Sequence, residues 1–257
     1  MKKNKENKKK TIVLNQNGVS SQRDILYNIG DVEYNMALHR IELTNLSPIA
    51  KLEDIKKLCQ TAASYKFYSV CVNPIYVRDA FDFLKKHNNI NISTLVGYPL
   101  GETFFQSKLF ELKKVFEAGA NMVDVYIANS AIKNQAHQVV KQQIHKLAHL
   151  ADDKKNRRVR IVLDMRYLDM KELLTICGYC IDSGLHHITL TEGVNSSNLN
   201  LQLIEKLCDA LGSQIKIKLN YNIRNVAELK NPAFRNVDLF ATTHGVKIAE
   251  ELKQLLR

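Results

Sequence analysis

Three side chains on strand-like stretches are the best suited to chemistry. They are Lys216 and Lys218 in Ile215–Leu219, and Asp124 in Met122–Ile127. A lysine amine can add to a carbonyl and form an imine, provided that it is unprotonated. A carboxylate nearby can orient water and pass protons through such steps. Other candidates bind rather than react. Arg166 is a permanent cation two residues after Asp164; it could take a carboxylate ligand, or pair with Asp164 or Glu192. Thr242 and Thr243 stand just before the last helical stretch, where hydroxyls and backbone N–H groups make an anion site.

Other chemistries find little support. Cys177-Gly178-Tyr179-Cys180 has the spacing of a redox or metal motif. It lies within an amphipathic run with no second such pair, so two core cysteines one helical turn apart are expected. No His, Asp or Glu set has metal-ligand spacing, and no metal or cofactor is expected. Neither a Ser-His-Asp order nor a Walker loop is present, and no GxGxxG follows the first strand.

The 257 residues, 45% hydrophobic with 10 Gly and 4 Pro, suit a packed globular protein. Of the net charge of +11, residues 1–10 supply +5 through six lysines and one glutamate. We read residues 1–15 as a basic disordered tail and 16–257 as one domain. Such a tail is either a solvated appendage or a weak, salt-sensitive contact for nucleic acid. No apolar run reaches membrane-spanning length, and none follows the basic start as a secretory signal would require. Five scattered cysteines favour a reducing compartment, which predicts a cytoplasmic protein.

After a helix expected over 20–38, strand-like and helix-like stretches alternate about every 25 residues. The strands are predicted at 41–44, 67–72, 90–96, 122–127, 159–164, 188–191, 215–219 and 237–241. Eight such steps in this length predict an α/β fold, a closed (β/α)8 TIM barrel. Its chemistry would collect at the C-terminal ends of the strands.

Several of those ends share a pattern. Val96-Gly97-Tyr98-Pro99-Leu100-Gly101 is very similar to the third-strand loop of the deoxyribose-phosphate aldolase family. Ser69–Pro74 and Ala118–Val125 resemble its second and fourth strands, and Gly184–Val194 its sixth. Ile217–Arg224 resembles its Val-Lys-Ala-Ser-Gly-Gly-Ile-Arg segment, and Leu239–Val246 its Gly-Thr-Ser-Ser-Gly-Val segment. The likeness runs from about Ile41 to Glu250.

The resemblance implies a class I aldolase, a carbon–carbon lyase that acts on a phosphorylated sugar through a Schiff-base lysine without a metal. It assigns Asp124 to proton relay and Lys218 to the second ammonium, which tunes that lysine. Glu42, where aspartate is common, Cys71, Thr191, Thr242 and Thr243 fall at ligand-binding positions, although Cys71 also reads as a buried structural thiol; Arg166 replaces a smaller residue at the mouth, where it could bind the ligand. The Schiff-base position itself, however, is Thr189, and a hydroxyl cannot form an imine. The family's phosphate-binding Gly-Gly is Tyr221-Asn222, whose tyrosine is expected to fill the phosphate space. Glu192 replaces a small threonine, and His244 a serine.

Three readings follow. The first is a barrel without ordinary deoxyribose-5-phosphate cleavage that binds a small anionic metabolite or serves a regulatory role. The second is a lyase with Lys218 as its amine; the third is an interaction module using the basic tail. Family habit suggests a homodimer. Asp124 is open to two roles, proton relay or simple pairing with a lysine across the barrel.

Overall fold

The computed structural model describes residues 31–151, 156–193 and 199–255. Eight parallel strands close into a barrel in chain order: β1 (Ile41–Asn45), β2 (Ser69–Val72), β3 (Asn91–Val96), β4 (Met122–Tyr126), β5 (Arg158–Asp164), β6 (His187–Thr191), β7 (Lys216–Asn220) and β8 (Leu239–Thr242). The ring closes where β8 pairs with β1. Helix α1 (Asp31–Leu38) leads into β1. The outer layer is α2 (Leu52–Tyr65), α3 (Val77–Leu84), α4 (Phe105–Ala118), α5 (Asn129–Lys133), α6 (His137–Ala148), α7 (Met170–Asp182), α8 (Leu201–Leu211), α9 (Val226–Leu229) and α10 (Gly245–Gln254).

The strands alternate in a way that explains both layers. Val70, Val72, Val123, Val125, Ile161, Leu163, Ile188, Leu190, Ile217 and Leu219 are buried in the main apolar core. Each such side chain contributes roughly 1.5–3 kcal/mol by leaving water. Their neighbours in sequence face the barrel interior. Local signals end the helices: Asp169 accepts from the Glu172 N–H while the Glu172 carboxylate takes the Asp169 N–H, opening α7 as a capping box. In the Val96–Gly101 loop, Gly101 has φ +74°, and a Cβ there would lie 2.3 Å from the Ile127 carbonyl oxygen. That position tolerates glycine alone.

The eight strands fall within two residues of their expected bounds. Of the helix expected over 20–38, residues 31–38 are helical; residues 20–30 and the basic tail lie outside the described residues. Cys177 and Cys180 are buried on α7 with free thiols, as are Cys59, Cys71 and Cys208 elsewhere. Burial alone pushes the Cys177 thiol up to about 12. Among the described residues, no helix is long and apolar enough to cross a membrane.

Candidate functional site

The centre of the barrel holds four charges. Period-two alternation on β1, β4, β5 and β7 turns Glu42, Asp124, Arg160 and Lys218 inward, and each is at most 3% exposed. Lys218 Nζ donates to Asp124 Oδ2 at 2.6 Å and to Glu42 Oε1. Arg160 Nε donates to Asp124 Oδ1 at 2.5 Å; its Nη2 reaches Ser93 Oγ at 2.6 Å and Glu42 Oε2 at 3.4 Å. Ser69 Oγ completes the Glu42 shell at 2.8 Å. Two carboxylates and two cations cancel, which is the condition for keeping such groups out of water.

The electrostatics follow from that balance. Burial alone would raise the Glu42 and Asp124 carboxyls, but Lys218 and Arg160 outweigh it and hold both below their ordinary values. Burial would likewise lower Lys218, yet Asp124 and Glu42 overcome it and raise the ammonium. Lys218 is therefore a protonated, doubly paired cation, the opposite of an activated amine. Thr189, its register partner on β6, donates its hydroxyl to Asp124 Oδ1 at 2.8 Å.

Two residues further along their strands, Cys71, Leu95, Tyr126 and Val162 form a separate apolar cluster. It lies on the C-terminal side of the charges. Cys71 is buried there, with its thiol pushed up first by burial and then by the Glu42 charge.

The remaining candidates sit at the C-terminal mouth, in two places. At the ends of β5 and β6, Arg166 grips Asp164 with two bonds, 3.0 Å to Oδ1 and 2.6 Å to Oδ2. Its guanidinium lies over Gly193, where a Cβ would come within 2.1 Å of Cζ, so the glycine makes room for it. Thr191 Oγ1 accepts the Gly193 N–H at 3.1 Å, and Glu192 accepts the Asn200 N–H at 2.8 Å. Glu192 is thus tied to the start of α8.

At the end of β8, the donors before α10 are already engaged. Asn222 Oδ1 accepts the Thr243 N–H at 2.8 Å and lies 3.1 Å from both the Thr242 and Thr243 hydroxyls. His244 Nδ1 stands 3.3 Å from the same oxygen. A carboxamide oxygen here occupies the donors before α10. The Tyr221 ring packs on the core, and the side chain that meets the donors is the next one, Asn222.

The structure brings Asp124, Lys218 and Glu42 together, with Cys71 above them, and leaves Arg166 with Thr191 and Thr242 with Thr243 as separate rim groups. Lys216, grouped with Lys218 as a candidate amine, stands apart from it: it is exposed at the start of β7, because the inward face runs out of the barrel's N-terminal end there. Arg160 escaped sequence reading. Its signal was two-residue spacing back from Asp164, which turns Val162 and Arg160 inward. No group of three His, Cys, Asp or Glu side chains among the described residues could hold a metal ion.

Strand order, closure and a buried lysine–carboxylate interior define an aldolase-like (β/α)8 barrel. The family can be stated as well. A sequence model described as DeoC/LacD family aldolase matches residues 35–166, and this chain belongs to that family. A deoxyribose-phosphate aldolase of Thermococcus kodakarensis is 30% identical over 211 residues, covering 82% of this chain and 94% of that protein. One from Caldicellulosiruptor saccharolyticus is 31% identical over 211 residues, covering 82% and 96%. Among solved structures, the tetrameric deoxyribose phosphate aldolase of Aeropyrum pernix superposes with a TM-score of 0.77 at 24% identity, covering 91% of this chain and 97% of that one. That likeness concerns the fold.

Proposed function

We propose that this barrel does not cleave deoxyribose 5-phosphate through an imine, and that it acts instead as a binding or regulatory member of its family for a small anionic metabolite. The observation that carries the reading is the pairing of Lys218 with both Glu42 and Asp124. An amine tied as an ammonium between two carboxylates cannot attack a carbonyl, and the neighbouring strand offers Thr189. The lyase reading with Lys218 as its amine needs the free base, which these surroundings disfavour.

At the mouth, Arg166 keeps a half-exposed guanidinium suited to a carboxylate or phosphate. An anion before α10 would have to displace Asn222, so binding there is weak in this reading. Thr191, Thr242 and Thr243 would line the ligand. Five buried thiols fit a reducing cytoplasm, and the tetramer described for the Aeropyrum pernix relative supports self-association.

The test is turnover. Purified protein incubated with 2-deoxyribose 5-phosphate should release no aldehyde above the buffer control. Release that disappears in Lys218→Met would instead establish the lyase.

A further inference from the structure

The inward strand face carries cations beyond the central charges, toward the opposite end of the barrel. There a cavity of about 240 Å³ opens between α1 and the starts of the strands. Arg158, His187 and Lys216 line it at the first residues of β5, β6 and β7, with Arg160 and Lys218 beyond them. Asp238 is the one carboxylate in its lining among the described residues, and one oxygen of that group already accepts the Ile217 N–H at 2.8 Å.

Three features give this cavity the character of a site. Arg160 is 98% buried, by its 2% exposure, and lines the cavity. Its Nε and Nη2 are spent on Asp124, Ser93 and Glu42, while Nη1 has no hydrogen-bond partner among the described residues. A buried guanidinium N–H without an acceptor is costly and calls for one. Arg158 is held by Nη1 on the Tyr68 hydroxyl at 2.9 Å, and so is fixed in direction. Lys216 forms no ion pair among the described residues, and its ammonium is available. Met122 and Leu239 add an apolar wall.

We propose that the N-terminal end of this barrel is an anion site for a small organic phosphate, separate from the C-terminal mouth. Arg158 and Lys216 take the phosphoryl oxygens, since guanidinium and ammonium donors match that group in charge and geometry. Arg160 adds positive charge behind the floor. The organic part lies against Met122 and Leu239. The site uses no residue of the mouth, so it stands or fails apart from the function proposed above.

The full chain is titrated with inorganic phosphate and with glycerol phosphate at constant ionic strength, followed by 31P line broadening. Wild type should bind both, the organic phosphate more tightly. Lys216→Ala and Arg158→Gln should each weaken binding about tenfold, the loss of one charge-assisted hydrogen bond. Lys216 is exposed, so its variant retains the fold, as far-UV circular dichroism will verify. Lys141→Ala, on the outer surface of α6, should leave the affinity unchanged. No binding by wild type overturns the proposal. So does equal binding by Lys216→Ala and wild type, which would assign the phosphate to other cations such as the tail, or an equal loss of binding in Lys141→Ala.

Discussion

Thr189 and Lys218, register partners on β6 and β7, divide one carboxylate between them. The threonine hydroxyl donates to Asp124 Oδ1 at 2.8 Å and the ammonium to Oδ2 at 2.6 Å. With Arg160 on Oδ1 as well, Asp124 is saturated by fixed donors. A carboxylate so held is poorly placed to shuttle protons, whereas it is well placed to anchor two cations inside a barrel. The structural contribution of the four-charge cluster can be measured.

Lys218→Met leaves two buried carboxylates facing one guanidinium. Removing one partner from a buried ion pair costs roughly 3–5 kcal/mol, so the urea midpoint should drop sharply. Adding Glu42→Gln restores neutrality between Asp124 and Arg160 and should recover part of the loss. Strict additivity of the two substitutions would show that the charges are not coupled.

Stability should be flat near neutrality and fall at both extremes. Glu42 and Asp124 are held below their ordinary values of 4.5 and 3.8. Their contribution is complete above those values and is lost as pH falls through the lowered folded ones. Lys218 is raised above 10.5. Its contribution is complete below that value and is lost as pH rises through the raised one. Melting temperatures across the pH range should show both limbs, and Lys218→Met should remove its part of the alkaline one. An alkaline limb of undiminished size in that variant would contradict the pairing.

Restoring an amine alone should not restore cleavage. In Thr189→Lys the new side chain loses the bond to Asp124 and adds a fifth charge to a balanced set, while Asn222 still fills the donors before α10. Retro-aldol activity should stay near background. Thr189→Lys combined with Asn222→Gly should exceed the single variant. Strong activity from Thr189→Lys alone would show that Asn222 is no obstacle.

The thiols should be silent in the folded protein. All five cysteines are buried, and burial raises Cys59 to about 12, as it does Cys177. DTNB should modify none quickly in buffer and all five in guanidinium. Fast modification of Cys177 and Cys180 in buffer would revive a redox role for that pair.

Much of this architecture was legible in the chain. Strand bounds followed from short apolar runs between helical stretches, since the outward faces of β4–β7 are nearly all Val, Ile and Leu. Lys218 and Asp124 could be placed because both sit mid-strand in recognisable surroundings. What escaped was spatial. Arg160 looks like one basic residue in the run Arg157-Arg158-Val159-Arg160, and only strand parity turns it inward. The Asn222 carboxamide engages Thr243, twenty-one residues away, through a loop path that no local pattern specifies. The N-terminal cavity draws single residues from the starts of several strands, so its charge never appears as a cluster in sequence.

The central claim is that Lys218, held between Glu42 and Asp124, is not free to form an imine. Protein incubated with acetaldehyde, reduced with borohydride and mapped by peptide mass tests it directly. The account predicts an unmodified Lys218 under conditions that label surface lysines only sporadically. A stoichiometric two-carbon adduct on Lys218 would contradict it.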